Sequence, residues 1–391
     1  MEAVISKSQE IDSRYATAFL LPVIALFVGS MSFGQWWWTI GLAVCFPVLL
    51  FKAESRLQTF LIAFCYHLGA THTLALSAAR FYSDENFFGV AIWATGNLIN
   101  GVIYAALWHR AENVRLFTIV IAIILTSLPP FGVLGWANPL TAAGVFFPGS
   151  GLLGFAYLLG LYVALAFKSK PFLKVFLVIS AWCFFTAKQP KNSGWQAHNT
   201  RFGKTDDAGA GDYKRQKELI SLAHASSSKV SVFPESLVNG GWTEVSESLW
   251  KKSLKTKRHV LIGAELLEFD DQHQKKYNAL VDYDGKSTSI YKQRQPIPLS
   301  MWKPFLKSGY EANWFSTPIL NVGGQKIAPL ICYEGFLVWP VVHSYLAGAG
   351  RIVAVGNYWW TISDSIPSIH TSIMTSWSRL FSLPLTMAVN T

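Results

Sequence analysis

Charge is confined to one half of this chain, and that partition decides what it can fold into. Residues 16–187 form long apolar runs with brief polar breaks, whereas charge concentrates after Lys188. With 51% apolar and only 14% charged residues, the chain is too apolar for water to surround on all sides. The pattern predicts a multi-span α-helical membrane domain over residues 1–187 and a water-facing domain over residues 188–391. The net charge of +10 suits contact with anionic lipid headgroups. No basic-aromatic pattern points to nucleic acid, so direct nucleic-acid binding is not expected.

Candidate spans run over about 16–34, 36–52, 57–79, 87–108, 115–134, 148–167 and 171–187, about seven helices in all. Pro129, Pro130, Pro139 and Pro148 interrupt the later spans, and 135–147 reads as a re-entrant or interfacial piece. The first run lacks a small-x-small cleavage pattern and reads as an uncleaved span. Lys7, Arg14, Lys52, Arg56, Arg110, Arg115, Lys168, Lys170 and Lys174 fall on one side of the spans, and Arg80 falls on the other. The positive-inside rule then places the N-terminus in the cytoplasm. Seven spans put the polar half outside, which in a bacterium means a multi-pass inner-membrane protein with a periplasmic domain. Trp36, Trp37 and Trp38 resemble an interfacial aromatic belt. His67, His72, Asn97 and Asn100 are expected to hydrogen-bond between helices, and no intramembrane cluster of charged residues supports a transporter. Gly149-Ser150-Gly151-Leu152-Leu153-Gly154 matches GxGxxG in letters, but no strand precedes it and no acidic partner follows, so no nucleotide site is expected.

In the polar half, strands are expected over 195–199, 229–233, 259–263, 277–283, 287–291, 326–332, 351–356 and 384–390. Helices are expected over 213–225, 249–258, 336–347 and 367–382. Asp284-Gly285 marks a hairpin. The alternation indicates a layered α/β domain. The basic run from Lys251 to Arg258 reads as a solvated helix face, with a membrane-surface contact as the alternative.

Cys45, Cys65 and Cys183 lie in apolar runs, leaving Cys332 alone in the polar half. That excludes a disulfide within this half, and no CxxC or Cys/His cluster suggests a metal. Cys332 ends an apolar strand and precedes a turn. By itself it reads as a small buried hydrophobe. Two upstream segments change that reading. Glu235 ends one expected strand and Lys292 follows another, so three strand ends can converge on one site. A thiol needs a base and then a donor for the oxyanion that forms when it attacks a carbonyl. Glu235 fits the base, and Lys292 with the Tyr333 backbone N–H fits the oxyanion donors. His343 and His370 read as ordinary helix-borne histidines, because Glu235 already fills the role of base.

Phe233-Pro234-Glu235, Tyr291-Lys292 and Cys332-Tyr333-Glu334 resemble the Glu, Lys and Cys motifs of the nitrilase (carbon–nitrogen hydrolase) superfamily. Leu261-Ile262-Gly263, Tyr277-Asn278-Ala279 and Gly356-Asn357-Tyr358-Trp359-Trp360 match its surrounding context. Membrane spans ahead of such a domain resemble the apolipoprotein N-acyltransferase branch, and the length and layout resemble the TraB-type conjugal transfer proteins. The resemblance implies an αββα sandwich with Glu235 as base, Lys292 as oxyanion stabiliser, Cys332 as nucleophile and Glu334 as an accessory acid. It implies no cofactor. It implies a membrane phospholipid as acyl donor, a thioester on Cys332, and a lipoprotein or other amine as acceptor. For the conjugal transfer group it implies work with the conjugation machinery. Two departures stand out. Pro298-Leu299-Ser300-Met301-Trp302 occupies the place of the acyltransferases' Pro-Phe-Gly-Glu, so Met301 replaces a second acid. The sequence also stops at Asn390-Thr391, so a sandwich shortened at its C-terminus is expected. Two other readings stay open: a non-catalytic membrane component of a transfer apparatus that keeps the fold, and a hydrolase of small amides or nitriles.

Overall fold

The computed structural model describes residues 19–391 except 82–85, 189, 192, 205–208, 254–257, 271–272, 305 and 307. Its first half is helical. α1 spans Phe19–Ser32. A 3-10 stretch, Trp37–Val44, leads into α2 (Cys45–Phe51), followed by α3 (Arg56–Ala70), α4 (His72–Phe81), α5 (Asn86–Ala106) and α6 (Glu112–Leu125). Then come α7 (Ala143–Phe146), α8 (Leu153–Ala166) and α9 (Lys170–Thr186). The span expected over 57–79 is broken: α3 and α4 meet at Thr71 with a bend of 63°. The Thr71 hydroxyl donates to the His67 carbonyl at 2.7 Å, and the Trp93 indole N–H donates to the Thr71 carbonyl at 3.0 Å. Backbone groups freed by the break are thus satisfied by neighbours, as an apolar setting demands. Asn100 donates to the Leu134 carbonyl and Asn97 accepts from Thr71, so these span-borne polar groups bond between elements.

Among the described residues, α5 is long and apolar enough over Phe87–Ala106 to cross a bilayer, and the bent α3–α4 pair makes a second if it counts as one span. Phe19–Ser32, Trp37–Phe51 and Leu153–Ala166 are apolar but shorter. Large apolar side chains face outward on several helices, among them Phe87, Phe117, Leu177, Trp182 and Phe185. The glycine run 149–154 serves packing. The N–H groups of Gly149 and Gly151, both at positive φ, donate to the carbonyls of Arg379 and Leu380.

The second half holds two sheets. The first orders β1 (Trp195–Ala197), β2 (Val230–Val232), β3 (His259–Asp270), β4 (His273–Tyr283) and β5 (Thr288–Lys292). β1, β2 and β3 run parallel, and β3, β4 and β5 form antiparallel hairpins. β3 and β4 are longer than expected because their charged ends pair across the hairpin. At the β4–β5 turn, Asp284 accepts the N–H groups of Lys286 and Ser287, and Gly285 takes φ +88°. The second sheet orders β6 (Leu320–Val322), β7 (Gln325–Ile331), β8 (Ile352–Asn357) and β9 (Leu385–Asn390), with β7, β8 and β9 parallel.

Strand alternation distributes the cores. Val353 and Val355 of β8 meet Val232, Leu261 and Leu280 of the first sheet, while Ile352 and Ala354 face the helices behind. α10 (Ala210–Ala225) and α11 (Glu244–Ser253) cover the outer face of the first sheet through Leu219, Ala223 and Trp250. α12 (Val338–Leu346) and α13 (Ser365–Phe381) cover the second through Val338, Val341, Ile369 and Ile373. Helix, sheet, sheet, helix is the expected layering. Of the basic run, Lys251 and Lys252 are exposed on α11, while Lys255 and Lys257 lie outside the described residues.

The outermost layer is not the edge of the molecule. One hydrophobic core runs from Phe33, Ile40 and Leu158 of the first half into Ile369, Ile373 and Trp377 of α13. The Ser376 hydroxyl donates to the Thr141 carbonyl at 2.6 Å. A Cβ on Gly144 would lie 1.9 Å from the Ser376 carbonyl oxygen, so only glycine permits this approach.

Candidate active site

β7 ends at Ile331, and the chain turns at Cys332 through φ +49° into a 3-10 turn over Cys332–Phe336. A non-glycine residue in that region costs about 1–3 kcal/mol and persists only where its surroundings over-determine it. Glu334 supplies that constraint. Its Oε2 accepts the Ile331 N–H at 2.9 Å, and its Oε1 accepts the Arg294 N–H at 2.8 Å and the Tyr291 hydroxyl at 2.9 Å. The Arg294 guanidinium pairs with the same carboxylate at 3.3 Å, both side chains being 0% exposed. Arg294 also donates to the Pro340 carbonyl and the Ser344 hydroxyl of α12. The buried pair therefore pins the thiol's turn between the end of β5 and α12.

Glu235 follows β2 and is buried against Cys332. Its Oε1 accepts Asn278 Nδ2 at 2.5 Å and its Oε2 accepts the Asn357 N–H at 2.9 Å. A Cβ on Gly263 would sit 2.4 Å from Glu235 Cα, so the glycine of β3 lets this segment close on the sheet. Burial pushes the Glu235 carboxyl from 4.5 up to about 7, against hydrogen bonds from Asn278, Cys332 and Asn357 that favour the charged form. Burial, and then Glu235, push the Cys332 thiol well above its usual range, while the N–H groups of Asn357 and Tyr333 oppose the shift. The resting site is a thiol beside a carboxyl within hydrogen-bonding reach, an arrangement in which Glu235 is placed to accept the thiol proton. The Tyr333 N–H adjoins the sulfur, and the Tyr333 hydroxyl donates to the Val133 carbonyl of the first half at 2.8 Å.

Lys292 does not join this centre, which corrects the sequence expectation. Side chains alternate along β5. Tyr291 turns inward to Glu334, and Lys292 turns to the other face. There Lys292 Nζ pairs with Glu268 at 2.5 Å and lies 4.1 Å from the Tyr277 ring centroid. Gln293 returns to the inner side. Its Nε2 donates to the Ile331 carbonyl at 2.7 Å, and its Oε1 accepts from Asn278 at 2.9 Å. A neutral amide thus holds the carbonyl of the residue before the thiol, where a lysine was expected. His370 is buried with Nδ1 on the Tyr358 hydroxyl and its ring stacked on Phe336. Burial lowers its pKa to about 3, so it stays neutral. His343 lies against Arg294 at 3.3 Å, and burial followed by that guanidinium lowers its pKa.

Cys332 sits where two cavities meet. One, of about 130 Å³, is apolar and walled by Leu74, Phe81, Ile92, Trp93, Trp136 and Phe336, so α4 and α5 form one side. The other, of about 190 Å³, is the more polar of the two, with Glu235, Asn239, Glu265, Tyr310 and Asn357 set among Phe81, Ile297, Met301, Trp359 and Trp360. Sequence reasoning missed Gln293, Arg294 and Glu265 as neighbours of the site. The available signal was the polar run Gln293-Arg294-Gln295, which is buried throughout.

No family model matches the sequence. The probable conjugal transfer protein TraB of Sinorhizobium fredii is 33% identical over 394 residues, covering 95% of this chain and 98% of that protein. The conjugal transfer protein TraB of Agrobacterium fabrum is 31% identical over 401 residues, covering 97% of this chain and 94% of that protein. Similar solved structures include an amidase from Nesterenkonia sp., 13% identical with a TM-score of 0.37, covering 51% of this chain and 77% of that one. A carbon-nitrogen hydrolase from Helicobacter pylori is 11% identical with a TM-score of 0.39, covering 51% of this chain and 72% of that one. Identity above 30% along nearly the whole length of both relatives places this chain in the TraB family of conjugal transfer proteins.

Proposed function

We propose that this chain is a nitrilase-type cysteine acyltransferase of the bacterial inner membrane that serves conjugal transfer. One observation carries the reading: the Cys332–Glu235 pair lies where an apolar cavity walled by α4 and α5 meets a more polar one. An acyl chain fits the first and its polar partner the second. Glu235 takes the thiol proton as Sγ bonds to the carbonyl carbon of a phospholipid ester, and the Tyr333 N–H donates to the oxyanion. Glu235 then returns the proton to the departing alcohol oxygen, leaving a thioester that an amine resolves. Glu334 and Arg294 hold the turn, and Gln293 supplies a neutral amide beside it. The outward apolar side chains and the Lys/Arg asymmetry of the loops support residues 1–187 as the membrane part, with a cytoplasmic N-terminus and residues 188–391 in the periplasm. The names of the two relatives support work with conjugation machinery.

The test is a covalent one. Cells expressing the chain are fed a clickable fatty acid, and the purified protein is treated with hydroxylamine. The expected result is a hydroxylamine-labile label on the wild type and none on Cys332→Ala. An unlabelled wild type, with an unlabelled Glu235→Ala beside it, overturns the proposal. The neutral Gln293, bonded to the residue before an unactivated thiol, favours one other reading, a non-catalytic membrane component that keeps the fold. Cys332→Ala cells that still transfer plasmid at the wild-type rate would support it.

A further inference from the structure

The more polar cavity beside Cys332 holds a second carboxylate that acylation does not use. Glu265, on β3, lines it with Glu235, Tyr310 and Asn357. In the β3–β4 register Glu265 stands opposite Asn278, and Lys276, two residues from Asn278, shares its face. Lys276 Nζ pairs with Glu265 Oε1 at 2.9 Å, and the Tyr310 hydroxyl donates to the same oxygen. Lys276 also lies 4.7 Å from the Tyr310 ring centroid. Both donors use Oε1 of a carboxylate that lines the cavity and is still 15% exposed. Met301 borders the same space without a charge.

We infer that Glu265 is the acceptor-binding carboxylate of this site and that the acceptor is a primary amine arriving as an ammonium ion; this rests on the thioester reading above. Proton counting supports it. An ammonium that becomes an amide at a thioester gives up two protons. The first must leave before attack, because the nitrogen needs its lone pair, and Glu265 receives it and passes it to water at the cavity mouth. The second leaves as the C–N bond forms and the C–S bond breaks, and Glu235 carries it from nitrogen to the departing sulfur. The cavity offers one carboxylate for each. The Lys276 ammonium on Oε1 is the internal counterpart of such a partner.

The experiment uses the full chain in phospholipid micelles, acylated from a fluorescent phospholipid, with release of the acyl group measured against glycinamide or hydroxylamine. Glycinamide is cationic and hydroxylamine neutral near pH 7.5. Glu265→Gln keeps the Tyr310 partner and is expected to raise KM for glycinamide at least tenfold more than for hydroxylamine. Lys276→Met removes the internal competitor and is expected to lower KM for glycinamide several-fold. Equal effects of Glu265→Gln on both nucleophiles, or none on either, overturn the inference while sparing the thioester. Absence of acyl-Cys332 on the unsubstituted chain overturns both.

Discussion

Glu235→Gln should change the pH dependence of stability as well as activity. Burial places the protonation midpoint of Glu235 at about 7, against 4.5 for the unburied carboxyl. Between those pH values the folded chain keeps a proton that the unfolded chain has released. The folded state therefore binds more protons, and stability falls as pH rises through that window. From pH 5 to the midpoint at about 7, roughly 2 pH units at ~1.4 kcal/mol each amount to ~3 kcal/mol. The amide substitution disturbs the bonds to Asn278 and the Asn357 N–H, but that penalty does not titrate and cancels when two pH values are compared. At ~2.1 cal/mol/K per residue, 391 residues convert ~3 kcal/mol into about 4 °C of Tm. Tryptophan fluorescence melts of the detergent-solubilised full chain at pH 5 and pH 8 read it directly. Relative to wild type, the variant should gain about 4 °C between the two. Parallel Tm curves would refute the claim that burial raises the midpoint of this carboxyl to about 7.

Two further substitutions separate the residues that hold the site from those that flank it. Lys292→Ala should leave thioester formation within about twofold of wild type, because Lys292 faces Glu268, whereas Gln293→Ala should lower it roughly tenfold by freeing the Ile331 carbonyl; single-turnover labelling of Cys332 compares them. Glu334→Ala strands a guanidinium at 0% exposure and should cost about 3–5 kcal/mol, lowering Tm by about 4–6 °C, with part of that recovered when Arg294→Met is added.

The thiol and its base were legible because each ends an apolar run, which is how a strand delivers a side chain to a sheet edge. The face of Lys292 was not. Ile290 and Tyr291 are both large and apolar, so the sequence hides which of them points inward, and the structure buries Tyr291 while leaving Ile290 43% exposed. A one-residue ambiguity in strand phase reverses every side chain. The strand expected over 259–263 extends to Asp270, where Glu265 pairs with Lys276 across the hairpin. The break at Thr71 was hidden in a similar way. The run 57–79 is apolar enough to pass as one helix, and only Thr71-His72-Thr73 marks where it turns.

The shared core has a consequence for how such proteins diversify. Tyr333, adjacent to the thiol, is bonded to Val133; Ser376 is bonded to Thr141; and Ser372 donates to the Gln35 carbonyl at 3.2 Å. A cut before Lys188 made to obtain a soluble piece would strip the cover from Ile369, Ile373 and Trp377 and remove α4 and α5 from the thiol's apolar wall. The helices and the sandwich are not interchangeable modules. Recombination between relatives at that junction would mismatch two complementary faces, so the two halves are expected to be inherited together.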